Sequence, residues 1–228
     1  MIKTSRHHFL LNPAPKTICL FLLFLFLVSA SHQIDDDVYI DPRDNQVYRT
    51  VIIGDRIWFQ ENLKFITPHS VCYKNEEANC EKYGRLYPVT EIHVACPEHW
   101  RLPDSMDSAM LHKEMGTTKI NPIAMTGEWD VKGSDKFDNR IGLSVLPAGR
   151  IDSFSTFFVQ EKRWVDTLAF HQKGSAASFW LNSDLKENGL LHWHLGEPVG
   201  NVRSAMHRHN ILPEEHKFSI RCVCDKRE

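Results

Sequence analysis

Residues 72–103 read CYKNEEANCEKYGRLYPVTEIHVACPEHWRLP, and this stretch decides the fold. It holds three of the six cysteines: Cys72, Cys80 and Cys96. Pro88 sits where a helix can begin, because the missing N–H of a proline costs nothing in a first turn. Leu86, Val89, His93 and Cys96 fall on one face at helical spacing, so a short helix is expected to run to Cys96, with Pro97 as its stop. Trp100 to Pro103 reads as a turn. Residues 64–86, including the segment from Cys72 to Cys80, lack periodicity and read as an ordered loop.

Upstream, Val38, Tyr39 and Ile40 precede the turn-forming run DPRDN at 41–45. Residues 47–53 are β-branched and aromatic, and Gly54-Asp55 places glycine first, as a type II′ hairpin turn requires. RIWFQ at 56–60 is the returning strand, which makes this segment a β-meander. Downstream, Asp104 or Ser105 caps a second helix, with Met106, Met110 and Leu111 on its apolar face and Gly116 at its end. IGLSVL at 141–146, SFWLN at 178–182 and LLHWHL at 190–195 read as strands. The last strand, FSIRCVC at 218–224, puts Phe218, Ile220, Cys222 and Cys224 on one face and Ser219, Arg221 and Val223 on the other. Two short helices among many short strands make an α+β domain.

The 228 residues begin with a leader-like segment. Lys3, Arg6 and Lys16 precede the apolar run ICLFLLFLFLV at 18–28, and Ser29-Ala30 follows it. A basic start, a short apolar run and small residues form a secretory signal peptide, expected over 1–30. The run is shorter than the about 20 residues a membrane span needs, so no span is expected after cleavage. Residues 31–37 are a short polar linker, and the domain occupies 38–228. Beyond residue 30 the chain carries 24 basic residues against 29 acids, a net charge of −5, which excludes a general nucleic-acid binder. Export permits disulfides. Five cysteines remain after the leader, so one stands outside any set of internal pairs. Cys72 with Cys80 would clip a local loop, and Cys96 with Cys222 would tie the middle of the chain to its end. Spacing alone leaves the pairing open.

Several of these pieces together resemble a known family, the Fibrobacter succinogenes major paralogous domain, itself similar to a bacterial branch of the C-type lectin-like fold. The resemblance rests on DPRDNQVYRTVIIGDRIWFQENL at 41–63, CYKNEEANCEKYGRLY at 72–87, ACPEHWRLP at 95–103, GLSVLPAGR at 142–150 and FSIRCV at 218–223. Leu143 and Ser108 depart from the family's aromatic and tryptophan, and Cys224 is additional. The resemblance implies disulfides Cys72–Cys80 and Cys96–Cys222. It also implies a stapled domain of two short helices, short antiparallel strands and long loops, with neighbouring termini and an irregular binding face.

Candidate sites are few. Calcium lectins of that fold use an EPN or QPD tripeptide with a later WND. Here only Glu197-Pro198-Val199 stands, with too few carboxylates for a cation that takes six to eight oxygens. His192 and His194 point the same way on a strand, but their spacing to His207 and His209 matches no zinc signature. Neither a metal nor another cofactor is expected. Trp164, Trp180 and Trp193 read first as buried core aromatics, the commoner case, and otherwise, with His192 and His194, as the candidate ligand surface. No Ser/His/Asp set or paired catalytic carboxylates stand out by spacing. The expectation is a secreted, periplasmic or surface-displayed module for binding or adhesion, without catalysis. Its partner would be a polysaccharide or an envelope protein, and an intermolecular disulfide through Cys224 is a further expectation. The alternatives are an enzyme of the formylglycine-generating type, whose copper-binding cysteines Cys222 and Cys224 would supply, and a purely structural envelope component.

Overall fold

The computed structural model describes residues 38–116, 121–131, 137–158, 160–182, 190–196, 203–209 and 215–226. The leader at 1–30, the linker at 31–37 and the tripeptide at 197–199 lie outside them. The described chain mixes α and β structure, mostly strands with a few short helices, and carries two disulfides. Among the described residues no helix is long and apolar enough to cross a membrane.

The chain enters through the meander expected from its turn chemistry: β1 (Val38–Ile40), β2 (Val47–Ile53) and β3 (Arg56–Phe59), all antiparallel. Asp41 closes the first turn by accepting from the Arg43 backbone N–H at 3.0 Å. Gly54 makes the second turn at φ +63°, where a glycine meets no Cβ penalty. Inward residues alternate, and the Tyr48 and Phe59 rings stack with centroids 4.5 Å apart.

Between residues 64 and 88 the structure departs from expectation. A helix, α1 (Glu77–Tyr83), lies in the segment read as loop. Its sequence EANCEKY has no apolar stripe. The Cys72–Cys80 bridge and the Asn79 side chain, which donates to the Tyr73 carbonyl at 2.8 Å, hold it instead. The helix expected from Pro88 is shorter and begins later. Leu86, Tyr87 and Pro88 form strand β4 (Leu86–Pro88), a 3-10 turn spans Val89–Glu91, and only α2 (Ile92–Ala95) is α-helical. His93 is exposed, and Ile92 and Ala95 make the buried face. Cross-strand pairing of Leu86 and Pro88 claims the backbone that the helix would have used.

The next helix, α3 (Ser105–Met115), starts at Asp104 as expected, with a capping box. Asp104 accepts from the N–H groups of Met106 and Asp107, and Asp107 accepts from that of Asp104. Its buried face differs in part from expectation: Leu111 is buried as expected, but Met106 is 74% exposed, and Asp107 and Ser108 are buried. Arg56 and Arg101 converge on the Asp107 carboxylate, so a charged residue takes the inner position. The strand expected over 141–146 is a loop. Ser144 turns at φ +57°, Asn139 accepts its N–H at 2.8 Å, and only Val145 makes a bridge, to Ala124.

The second half builds a larger sheet from β5 (Ala148–Phe158), β6 (Arg163–Lys173), β7 (Ala176–Trp180), β8 (Leu190–Gly196), β9 (Arg203–His209) and β10 (Lys217–Ser219). Its order is β4-β10-β5-β7-β8-β9, with β6 added to β5 as a long hairpin. The final strand, β11 (Val223–Asp225), leaves this sheet and pairs with β3, giving a first sheet of order β1-β2-β3-β11. Residues 220–222 therefore bridge the two sheets. The alternation read at 218–224 holds: Phe218, Ile220, Cys222 and Cys224 enter one core with Tyr48, Phe59, Tyr87 and Trp180, while Val223 enters a second with Trp58, Phe179 and Trp193. Cys72–Cys80 and Cys96–Cys222 are the two disulfides, the pairing the resemblance implies.

Candidate functional site

Where β3 ends, the backbone is tied to the segment between the sheets. Phe59 N–H donates to the Cys222 carbonyl at 3.1 Å, and Leu63 N–H to that of Ile220 at 2.8 Å. Asn62 then turns inward. Its Nδ2 donates to the Tyr83 carbonyl at 2.8 Å, and its Oδ1 accepts from Arg221 Nη2 at 2.6 Å and Nε at 3.2 Å. The end of α1 packs directly on this residue. A Cβ on Gly84 would stand 2.6 Å from the Asn62 Cβ, at φ +75°, so only glycine fits.

Beside this contact are two open clefts of about 230 and 250 Å³. Both have the segment after β3 as one wall and α1 as the other, and Lys64 lines both. The first holds Tyr83 among Arg49, Glu61, Lys82 and Glu128. The second holds Phe65 with Asp44, Glu77, Glu81 and Arg85. The Arg43 guanidinium lies 3.7 Å from the centre of the Phe65 ring and fixes it.

Charges in the first cleft are mostly matched. Arg49 pairs with Glu61 at 2.6 Å and Lys82 with Glu128 at 2.7 Å, and this second bond raises the Lys82 pKa. Beneath the floor lies Arg221, 2% exposed, which bonds only neutral oxygens among the described residues: Asn62 Oδ1 and the Leu143 carbonyl. Burial draws its pKa down to about 9, so it remains a cation at neutral pH. The clefts offer ring faces, amides and charged hydrogen-bonding groups, the chemistry that holds a polyol. Among the described residues they show no nucleophile paired with a base.

The surface expected from Trp164, Trp180, Trp193, His192 and His194 does not assemble. Trp164 on β6 is 67% exposed. Trp180 and Trp193 are core residues at 0% and 3%, because β7 and β8 are inner strands of the large sheet. The His192 ring packs 4.7 Å from that of Phe218. His194 is half-buried, with Nδ1 3.0 Å from both Ser178 Oγ and Arg150 Nη1. An arginine donates only, so that imidazole nitrogen is the acceptor. His207 stands opposite His192 in the β8–β9 register. Among the described residues, Cys72, Glu77 and Cys80 are the one trio with metal-ligand spacing, and its two sulfurs are joined in a disulfide. Cys224 stands outside both bridges and is 7% exposed, burial that argues against a bond to a second chain.

The sequence reading missed Asn62, Lys64, Tyr83 and Arg221. One signal was present: an arginine sits at 221 inside an otherwise apolar terminal strand, and buried charges need partners.

No curated protein and no solved structure matches the chain. The family model of the Fibrobacter succinogenes major domain matches residues 51–224, well over half of the chain. Both disulfides, Asn62 and Arg221 lie within that span, and the chain belongs to this family.

Proposed function

We propose that the chain is an exported, non-catalytic binding module of C-type lectin-like fold, displayed in the envelope or secreted, and that it holds a polysaccharide along the paired clefts. The observation that carries this reading is the geometry around Lys64. Two clefts, each of a volume suited to a sugar residue, share Lys64 and are both walled by the segment after β3 and by α1, so one polymer chain has two neighbouring places to lie. Each presents one aromatic ring, Tyr83 or Phe65, among planar polar side chains. Rings supply contact area to the C–H face of a sugar, and amides and charges bond its hydroxyls.

Export is supported by the leader-like residues 1–30 and by two disulfides. The lectin-like assignment is supported by the first and last strands of the domain belonging to one sheet, as its two edges, and by the bridge from Cys96 to Cys222. An oxidase of the formylglycine-generating type is the weaker reading. It needs thiols at both Cys222 and Cys224, and Cys222 is bonded to Cys96.

A glycan array with the disulfide-intact protein tests the proposal, followed by titration calorimetry on the strongest ligand. Binding that falls on Tyr83→Ala and is kept on Trp164→Ala supports it. An array without signal, together with a bound envelope protein in pull-downs, would replace the polysaccharide by a protein partner.

A further inference from the structure

The first cleft carries more positive charge than its ligand-free neutrality would need. Its two acids are each engaged by one cation, Glu61 by Arg49 and Glu128 by Lys82. Lys64 remains: among the described residues no acid lies within ion-pair distance of its ammonium, and Asp44, Glu77 and Glu81 line the second cleft on which it also borders. Below the floor Arg221 adds a second positive charge, hydrogen-bonded only to neutral acceptors, with Glu61 as the acid whose charge acts on it. The low-dielectric core screens that charge poorly, and the Asn62 side chain that binds it also lines the cleft. Next to the cleft, the Lys173 ammonium lies 5.5 Å from the centre of the Tyr83 ring, and that of Lys82 lies 5.3 Å from it. Both ammoniums stand over the ring, and each has a partner of its own, Glu128 for Lys82 and Asn79 Oδ1 for Lys173. All this sits in a domain with more acids than bases, so the basic patch is local and not a consequence of overall composition.

From this juxtaposition, and resting on the polysaccharide reading above, we infer that the cleft beside Lys64 is selective for an anionic sugar residue. Its ring lies beside Tyr83, and its anionic group, a carboxylate or a sulfate, meets the Lys64 ammonium. The fixed charge of Arg221 raises the affinity without contact. Neutral polymers of the same backbone lack the group that offsets the Lys64 charge, and they bind more weakly.

The experiment compares polygalacturonate, its fully methyl-esterified form and a sulfated dextran, by calorimetry at low and high salt. Esterification keeps the ring and removes the charge. The expected result is tighter binding of the acid polymer than of its ester, by about twofold to fivefold for one ion pair, with the advantage shrinking as salt rises. Lys64→Gln removes that advantage and Lys64→Arg keeps it. Binding of the sulfated polymer alone identifies sulfate as the source of the anion. Equal binding of acid and ester overturns the inference and leaves the polysaccharide reading standing. No binding to the two galacturonates or the dextran, with a neutral glycan bound on the array, also overturns it. No binding to any glycan removes both.

Discussion

Arg221 and Asn62 stand 159 residues apart in sequence, yet two guanidinium nitrogens share the single Oδ1 of the asparagine, at 2.6 and 3.2 Å. This pair joins the segment that links the two sheets to the segment that walls both clefts. Removing the acceptor leaves a cation buried with one fewer oxygen. Removing the cation leaves only neutral groups. Asn62→Ala is expected to cost about 3 kcal/mol of unfolding free energy, and Arg221→Met clearly less, because an uncompensated buried charge is the more expensive remnant. Urea midpoints of the two variants at neutral pH decide this, and the opposite ranking would refute the account.

The two disulfides close loops of very different length, 8 residues for Cys72–Cys80 and 126 for Cys96–Cys222. In the chain-entropy model the short bridge contributes about 2.5 kcal/mol and the long one about 5 kcal/mol. Cys222 is fully buried in the first core, so its removal also leaves a small cavity. The double variant Cys96→Ala/Cys222→Ala should lose about twice as much stability as Cys72→Ala/Cys80→Ala. Thermal unfolding of the purified variants measures both losses, and equal losses would contradict the prediction.

Local chemistry was legible wherever a few adjacent residues settle the outcome. DPRDN, Gly54-Asp55 and the Asp104 cap each form as their sequence dictates, and the disulfide pairing followed from the family resemblance. What failed depended on partners distant in sequence. The face of α3 was misread because hydrophobicity favours Met106 over Asp107, and nothing local announces that Arg56 and Arg101 arrive to neutralise that carboxylate. Helix α1 escaped because EANCEKY has no apolar stripe and relies on a disulfide. Trp180 and Trp193 were offered as ligand-stacking residues because the resemblance points to that region, and the pairing of β7 and β8 inside the large sheet, which buries them, is not local in sequence. The clefts escaped for the same reason: Lys64, Tyr83 and Glu128 become neighbours only after folding.

All six tryptophans are described, and only Trp164 is open to solvent: Trp58, Trp100, Trp129, Trp180 and Trp193 are each 7% exposed or less. A charged quencher such as iodide reaches only accessible indoles. The native fluorescence should therefore divide into a minor quenchable fraction and a major protected one. Trp164→Phe should abolish the quenchable fraction and leave stability within about 0.5 kcal/mol of the parent, as exposed substitutions do. Residual quenching in that variant would show that a second indole is accessible.

Asp107 makes stability depend on acid. Burial alone would raise its pKa, but hydrogen bonds from Arg101, the Asp104 backbone N–H and Arg56 outweigh burial and hold it below the usual aspartate value. A carboxyl whose folded pKa is depressed stabilises the fold fully above its unfolded pKa, near 3.9, and the gain is lost as pH falls through the lower folded value. Asp152, where the His171 hydrogen bond and the Arg150 charge overcome burial, and Glu91, bonded by Thr67 and His69, act in the same direction. Urea midpoints should be flat from pH 7 to about 5 and fall below about 4. Asp107→Asn keeps an oxygen for the arginines but removes the charge they share. It should cost about 2 kcal/mol at neutral pH, less than a fully buried pair because Arg101 is one-third exposed. The acid limb of the variant should be shallower than that of the parent. A variant whose midpoint falls as steeply between pH 4 and 2 would show that Asp107 does not carry the acid dependence.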